Sequence, residues 1–424
     1  MKILIKGVNI IGSSSGNPVD IAIAKGRIIQ IDKVSDFSPD KIIDAQGLQA
    51  VAGFIDLAAR LREPGPSKRG TIKSESKAAT GAGFSTICVP PDTEPVIDNP
   101  AVVELIQQRQ EQAKTLKILP LAAMTQGLKG QHLGAVGTLK EEGCVGVSNA
   151  LAAFSNTKVL FKALQYAKSF NLTAHLHPIN QALSDEGSAH QGEVADHLGL
   201  PGISQAAETT ALSEILMLAE ETGAKVHICR VSCARSLELI REAKQRGIKV
   251  TADVAIAQLF YSEDDLYGFD PNYHVIPPLR TKADKHALRQ GLLDGTLDAI
   301  CSDHQPHDVD SKLAPFSVSS VGMSTLDSFI PDVLKLCKEE DIKLEDILPA
   351  LNQNPAKVLG QSENEIAIGN KANFFILDTE KTWQLTENNI LSKGKNNPHI
   401  GEKLTGQVVY NIIGGKLVFA RTEL

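Results

Sequence analysis

The apolar and polar positions at the two ends of the chain alternate in short stretches that are separated by glycine and serine. The stretches with this pattern are 2–10, 20–31, 372–378, 408–413 and 416–420. Such alternation is typical of antiparallel strands with one buried face, and Gly414-Gly415 indicates a hairpin between the last two. We therefore predict one small composite β-sandwich domain, formed by residues 1–50 together with residues 362–424.

The middle of the chain has a different pattern, in which short apolar runs alternate with amphipathic stretches of helical period. The apolar runs, each predicted to form a strand, are 53–56, 86–89, 118–122, 145–148, 173–176, 226–231, 250–254 and 299–302. The helical stretches include 101–116, 157–169, 206–222, 234–246 and 323–339. Eight strands that alternate with helices imply a parallel sheet, so we predict the α/β class and a (β/α)8 TIM barrel over residues 51–361.

The composition is that of a globular protein and argues against several classes of function. The 424 residues are 42% hydrophobic and 22% charged, with a net charge of −7, whereas nucleic-acid binding needs a basic surface. No apolar run approaches the ~18 residues of a membrane span, and the N-terminal residues lack the apolar core of a signal peptide. The six cysteines include no C-x-x-C pair and resemble buried, reduced thiols. We expect a cytoplasmic protein without nucleic-acid or membrane partners.

The first candidate functional motif follows the first predicted barrel strand, where TIM barrels place their functional side chains. The chain reads D-L-A-A-R-L-R-E-P-G from Asp56 to Gly65. This resembles the D-x-H-x-H-x-R-E-P-G motif of the dihydroorotase family, in the amidohydrolase superfamily. Ala58 and Arg60 stand where that family has two histidines, at alternate strand positions that point to the same side. The frame of the motif is present, and its metal-binding pair is absent.

Six further stretches resemble motifs of the same family, in the family's order and along most of the chain. They read C-V-P-P-D-T-E-P from Cys88, V-S-N-A from Val147, A-H-L-H from Ala174, H-I-C-R-V-S from His227, H-V-I-P-P-L-R from His274 and S-D-H-Q-P-H from Ser302. The resemblance implies substrate-binding positions at Arg62, Asp92 and Ile276. The last two replace asparagines of the family, so the implied substrate site is incomplete.

The resemblance also implies six metal-ligand positions, and most of them have lost their donors. These positions are Ala58, Arg60, Asn149, His175, Arg230 and Asp303. Alanine has no lone pair and arginine stays protonated, so only His175 and Asp303 retain a donor. A catalytic metal usually keeps about three protein ligands and an open position for water. We therefore expect no cofactor and a vestigial Asp303, and we favour a protein that is not an enzyme.

Two of the replacements bring positive charge to the place where the family holds metal ions. We hypothesise that Arg60 and Arg230 pair with Asp303, because a buried carboxylate without a partner is costly. The alternative is that both arginines reach solvent at the barrel mouth. Asp92 is in turn a candidate partner for Arg62, which the resemblance implies as the clamp for a substrate carboxylate.

Three functions remain open at this point. The first is a non-catalytic dihydroorotase-like protein of pyrimidine biosynthesis; in some bacteria such chains accompany aspartate carbamoyltransferase, and family members commonly form homo-oligomers. The second is an active cyclic amidohydrolase, a dihydroorotase that interconverts dihydroorotate and carbamoyl aspartate with one zinc ion. Its ligands would be His175, Asp303 and one of His177, His227, His304 and His307. The third is a small-molecule sensor that uses Arg62, and the number of lost ligands favours the first function.

Overall fold

The computed structural model describes residues 1–13 and 16–421, and it contains two eight-stranded sheets with helices around one of them. The strands are β1 (Ile3–Ile10), β2 (Val19–Ala24), β3 (Arg27–Asp32), β4 (Lys41–Asp44), β5 (Gln49–Ala52), β6 (Phe54–Asp56), β7 (Phe84–Val89), β8 (Lys117–Ala123), β9 (Gly146–Ser148), β10 (Thr173–Leu176), β11 (Ala189–His190), β12 (Gly202–Ile203), β13 (Val226–Ile228), β14 (Val250–Ala255), β15 (Ala299–Cys301), β16 (Phe374–Gln384), β17 (Lys403–Ile413) and β18 (Lys416–Ala420). The helices are α1 (Ile72–Gly81), α2 (Pro100–Ala113), α3 (Val136–Glu141), α4 (Thr157–Ser169), α5 (Gln181–Ser184), α6 (Glu193–Leu198), α7 (Gln205–Thr222), α8 (Ala234–Gln245), α9 (Lys282–Leu293), α10 (Phe329–Glu339), α11 (Leu344–Leu351) and α12 (Gln353–Val358).

Eight parallel strands form the predicted barrel, in the order β6-β7-β8-β9-β10-β13-β14-β15. Its first and last strands meet just beyond their C-terminal ends, where Ala59 bridges His304 and the Arg60 N–H donates to the His304 carbonyl at 2.9 Å. Barrel strands are covered on both faces, which is why they read as apolar runs; all six residues of β7 are buried. The (β/α)8 barrel predicted from the alternating pattern is confirmed, and its strand ends open at one mouth.

Four phenylalanines join the N-terminal ends of β6 and β7 to the neighbouring elements. The ring centroids of Phe54 and Phe375 lie 4.9 Å apart, and those of Phe84 and Phe329 lie 4.8 Å apart. All four side chains are fully buried. Aromatic pairs of this kind contribute ~0.5–1.5 kcal/mol beyond their buried area. Because Phe375 belongs to β16, this cluster fixes the barrel against the sheet formed by the chain ends.

The second large sheet contains strands from both ends of the chain, in the order β18-β17-β16-β5-β1-β2-β3, with β4 beside β1. The two ends meet where β5 pairs antiparallel with β16, with Ala52 opposite Phe374. A separate cluster of buried side chains, mostly isoleucines such as Ile3 and Ile21, forms its core. The composite β domain predicted from the terminal pattern is therefore present, while its boundaries at 1–50 and 362–424 stay a prediction.

The helices agree with four of the predicted stretches and revise the fifth. The stretches that begin at 101, 157, 206 and 234 correspond to α2, α4, α7 and α8. Helix α10 begins at Phe329 and not at 323, because Thr325 is tied to the barrel: its N–H donates to His304 Nδ1 at 3.1 Å and its hydroxyl donates to the Ser302 carbonyl at 2.8 Å. Over residues 1–13 and 16–421, no helix combines the length and the apolar character that crossing a bilayer requires.

Candidate functional site

Asp303 lies at the centre of the barrel mouth, directly beyond β15, and its carboxylate is surrounded by donors. Its Oδ1 accepts hydrogen bonds from Arg60 Nη1 at 3.2 Å and from Arg230 Nη1 at 3.0 Å. Its Oδ2 accepts a hydrogen bond from Gln305 Nε2 at 3.2 Å. Arg60 and Arg230 are only 6% and 4% exposed, so the alternative in which both reach solvent is wrong. The two guanidiniums hold Asp303 as hypothesised from the sequence.

Arg230 reaches Asp303 because the sixth barrel strand ends early. The strand predicted at 226–231 ends at Ile228, since Arg230 has a left-handed φ of +57° and its N–H donates to Asp253 Oδ1 at 2.6 Å. Burial raises the pKa of Asp253, but the hydrogen bond from His227 Nε2 at 2.9 Å and the Arg230 N–H outweigh it and lower that pKa. Burial also lowers the pKa of Arg230, whereas the nearby Asp303 carboxylate more than compensates. The turn after β13 is thus fixed by a carboxylate that stays ionised.

Arg60 joins a second carboxylate to this cluster. Its Nε donates to Asp92 Oδ2 at 2.8 Å while its Nη1 contacts Asp303. Although burial raises the pKa of Asp92, the charge and the hydrogen bond of Arg60 lower it below its usual value. Asp92 therefore pairs with Arg60, and the expected Asp92–Arg62 pair is wrong. The reason is geometric: Arg62 has a φ of +59°, and its guanidinium bonds to a different segment of the mouth.

Arg62, the position implied as a substrate clamp, is engaged by the loop that follows β15. Its Nε donates to the Pro306 carbonyl at 3.0 Å, and its Nη2 lies 3.0 Å from His307 Nε2, a nitrogen that is also 2.8 Å from the Val321 carbonyl. Burial, and next the positive charge of Arg60, lower the pKa of Arg62 to about 10, so it stays protonated at neutral pH. Ile276, the other implied substrate position, is half-buried before the cis peptide bond to Pro277, and its side chain offers no hydrogen bond.

Asn149 and Ala58 complete the replaced metal-ligand positions, and neither offers a free donor. The Thr125 hydroxyl donates to Asn149 Oδ1 at 2.7 Å, and Asn149 Nδ2 donates to the Ala152 carbonyl at 2.8 Å. The amide therefore serves the loop after β9. Ala58 lies 8% exposed beside the arginines, and only its backbone makes polar contacts: its N–H donates to Asp56 Oδ1 at 3.2 Å, and its carbonyl accepts from the Ser302 hydroxyl at 3.3 Å. These positions now supply packing and loop structure.

The space that remains at the mouth is small. The cavity between Ala58, Arg60, His175 and Arg230 measures about 20 Å³, close to the room that one water molecule needs. A neighbouring cavity beside Arg62 measures about 60 Å³. Pockets for small ligands usually measure ~300–1,000 Å³. A cavity of about 300 Å³ lies between α4 and α7; it is lined in part by Asn149 and shares Ala150 and His177 with the cavity of about 20 Å³. The two cavities that Arg60 lines fall below the usual range for a small ligand.

The other histidines at the mouth bind protein partners. These contacts join His304 to Glu75 at 2.8 Å, His307 to Arg62 at 3.0 Å, and His177 to the Cys229 carbonyl at 3.0 Å. His175 instead lies beside His227 and Cys229. Among the residues that the structure describes, these form the one group of three potential metal ligands, with one donor atom from each within 4.8 Å of the others. Burial lowers the pKa of His175 to about 3, which keeps its ring neutral. The donors present do not fit the family's two-metal site, and among the described residues the cluster that contains His175 does not include Asp303, the ligand of the alternative single-metal site.

Three residues of the site were not singled out by the sequence. Asp253 fixes the Arg230 turn, Gln305 donates to Asp303, and Glu75 accepts a hydrogen bond from His304. Asp253 had a usable signal, because an acidic residue near the end of a buried strand faces the same mouth as Asp303. Glu75 had none, since its partner His304 is 229 positions away in the chain.

Comparison with known proteins places this site in a family. A family model described as dihydro-orotase-like matches residues 47–236. A "Dihydroorotase-like protein" of Pseudomonas aeruginosa is 38% identical over 98% of this chain and 99% of its own length. A "Dihydroorotase" of a Geobacter species is 36% identical over 99% of both chains.

A solved structure gives the same fold at a lower sequence identity. The L-hydantoinase (dihydropyrimidinase) of Arthrobacter aurescens superimposes with a TM-score of 0.86 over 100% of this chain and 97% of its own, at 22% identity. That likeness concerns the fold alone, whereas the two relatives share sequence along the full length. With the family-like motifs of the sequence at the mouth of a barrel, the chain belongs to the dihydroorotase-like family.

Proposed function

We propose that this chain is a non-catalytic dihydroorotase-like protein of pyrimidine biosynthesis. The observation that carries the proposal is the pairing of Asp303 with the guanidiniums of Arg60 and Arg230. In the family this aspartate acts as a metal ligand and as the general acid and base, according to the resemblance. Here both oxygens accept hydrogen bonds from side chains. The family's route to an activated water is a metal ion bound beside this aspartate, and here the aspartate is already engaged by two guanidiniums.

The framework around the lost site is maintained, which supports a scaffolding role. Asn396 illustrates this: its Nδ2 donates to the carbonyls of Gln305 and Gly322 at 2.9 and 3.0 Å, and its Oδ1 accepts from the His307 N–H at 2.8 Å. These bonds hold the loop that borders Asp303 although the donors beneath it have changed. A barrel that keeps the shape of its mouth retains a surface that a partner protein can recognise.

We propose aspartate carbamoyltransferase as that partner, on the basis of the family resemblance. The test is to mix the purified chain with the carbamoyltransferase of the same organism and to measure the molar mass of the eluted species by light scattering. We expect a complex in which both chains co-elute, and a carbamoyltransferase rate that rises with the amount of complex. Separate elution with an unchanged rate contradicts this partner.

The loop at residues 305–322 is the first surface to vary in that experiment. Three of its apolar side chains are strongly exposed, Val309 at 59%, Leu313 at 75% and Val318 at 72%. Exposed apolar groups that lie close together commonly mark contact surfaces. Leu313→Asp should weaken co-elution, whereas Ile368→Asp, at another exposed apolar side chain (63%), should not. Equal behaviour of the two variants moves the search to another surface.

A second candidate function is the active dihydroorotase with an altered metal site. The observation that favours it is the name of several relatives, such as the Geobacter protein called "Dihydroorotase", at 36% identity. Ring opening of dihydroorotate that depends on zinc and on Asp303 supports this candidate and overturns the non-catalytic proposal. The engaged state of Asp303 is why we place it second.

A further inference from the structure

The ring of His175 is the least satisfied polar side chain at the barrel mouth. It is 1% exposed, and neither Nδ1 nor Nε2 has a hydrogen-bond partner within the described part of the chain. A neutral imidazole has one N–H and one lone pair, so both a donor and an acceptor are left unused. Buried polar atoms are nearly always paired, and an exception indicates a ligand, an ion or a water molecule.

Two further potential metal ligands lie beside this ring. His227 is the register partner of His175 on the neighbouring parallel strand, and the two ring centroids are 5.2 Å apart. Cys229 follows two positions later, and its thiol makes only a long contact of 3.8 Å, to the His227 carbonyl. One donor atom from each of the three residues lies within 4.8 Å of the others. Bond lengths of ~2.0–2.3 Å to tetrahedral zinc require donor separations of roughly 3.5 Å, so a closing movement of about 1 Å suffices.

His227 has the supporting carboxylate that metal-binding histidines usually have, and both its ring nitrogens already have partners on β14. Its Nε2 lies 2.9 Å from Asp253 Oδ2, and its Nδ1 lies 2.9 Å from Thr251 Oγ1. In the neutral ring, Nε2 donates to the carboxylate and Nδ1 carries the lone pair. A carboxylate behind the ring is the usual support of a metal-binding imidazole. Binding a metal then exchanges one hydrogen bond, the one from the Thr251 hydroxyl.

The local charge permits a cation at this place. Three guanidiniums, those of Arg60, Arg62 and Arg230, are opposed by the three carboxylates of Asp92, Asp253 and Asp303. These formal charges balance, so a thiolate at Cys229 would offset part of the charge of a bound cation. A cysteine sulfur with imidazole nitrogens selects closed-shell, thiol-binding ions such as Zn²⁺ over Mg²⁺ or Ca²⁺.

We propose that His175, His227 and Cys229 form a buried site for one zinc ion. The site shares only His175 with the six positions implied by the family, and it does not use Asp303. The cavity that His175 and Cys229 line measures about 20 Å³, so a fourth ligand is a water molecule and not a substrate. The ion would join β10 to the end of β13. This inference is independent of the proposed partner, because co-elution with the carbamoyltransferase does not require it.

The test uses the full chain loaded with zinc sulfate or cobalt chloride, desalted, and analysed for metal content and absorption. We expect about one zinc per chain and, with cobalt, a thiolate-to-cobalt charge-transfer band. Cys229→Ser should abolish the band and lower zinc affinity at least tenfold, while Cys144→Ser, at another buried cysteine (3% exposed), should leave both unchanged.

Circular dichroism of each variant shows whether it is folded, and His175→Asn provides a second variant should Cys229→Ser fail to fold. Retention of less than a tenth of a zinc per chain by the unaltered protein overturns the site. Equal zinc retention and an equal cobalt spectrum in Cys229→Ser and Cys144→Ser overturn it as well.

Discussion

Replacing Arg230 by methionine tests the charge cluster at the barrel mouth, because methionine has a long side chain but no charge. The Nη1 atom of Arg230 lies 3.0 Å from Asp303 Oδ1, and the two side chains are 4% and 9% exposed. Removal of one partner from a buried ion pair costs ~3–5 kcal/mol, since the other charge stays in a poorly solvated place. Arg60 still contacts Asp303 at 3.2 Å in this variant. We therefore expect the free energy of unfolding to fall by about 3 kcal/mol, at the lower end of that range.

Urea unfolding followed by circular dichroism measures this loss. The double variant Arg230→Met with Asp303→Asn should recover part of the stability, because no unpaired carboxylate then remains. Arg235→Met is the matched control: its salt bridge with Glu238 is 58% and 53% exposed, so its loss should change the free energy of unfolding by no more than ~0.5 kcal/mol. The reasoning is refuted if Arg230→Met is as stable as Arg235→Met and if adding Asp303→Asn changes nothing.

Three further predictions follow from other parts of the structure. Glu75→Ala should lower the free energy of unfolding by ~3–5 kcal/mol, because this buried carboxylate accepts hydrogen bonds from four groups. Glu104→Ala, at an exposed position of α2, should change it by less than ~0.5 kcal/mol, and urea titrations of both variants measure the difference. Burial lowers the pKa of His399, but Asp332 and Glu402 more than compensate and raise it to about 9. The protonated ring therefore stabilises the folded state by about 3 kcal/mol below pH 6.5, and this stabilisation is lost as the pH rises through about 9. His399→Gln should remove this pH dependence from the unfolding curves. Dihydroorotate should leave the melting temperature unchanged, because Arg62 and Asp303 are already engaged by protein groups and the cavities along Arg60 measure only about 20 and 60 Å³. A stabilisation near ~2.7 kcal/mol, as expected for a ligand at 100 times its dissociation constant, contradicts this.

The barrel could be predicted from the sequence because its strands are buried on both faces. A strand such as β7, with six buried residues, leaves a continuous apolar run in the sequence, and eight such runs alternate with helical patterns. The end of β13 could not be predicted in this way. Its position depends on the N–H of Arg230, which donates to Asp253 at 2.6 Å, a contact between two strands that no local pattern encodes.

The candidate site shows the same division between what local sequence determines and what it does not. The family motifs identified Arg60, Arg230 and Asp303, and their charges suggested the pairing but left open that both arginines reach solvent. Charge alone could not identify the partner of Asp92, because two arginines, Arg60 and Arg62, are available to it. The left-handed backbone of Arg62 directs its guanidinium to the Pro306 carbonyl, so that Asp92 pairs with Arg60. Predicting which of two arginines pairs with a carboxylate therefore requires the backbone geometry, which the sequence pattern does not supply.

The most direct test of the central claim is the rate at which the purified full-length chain interconverts dihydroorotate and carbamoyl aspartate. The assay runs in both directions with excess zinc, next to an active dihydroorotase and the Asp303→Ala variant. A site that holds Asp303 between two guanidiniums, with cavities of only about 20 and 60 Å³ along Arg60, predicts rates equal to those of buffer, for the unaltered chain and the variant alike. Turnover above buffer that Asp303→Ala abolishes would contradict the account.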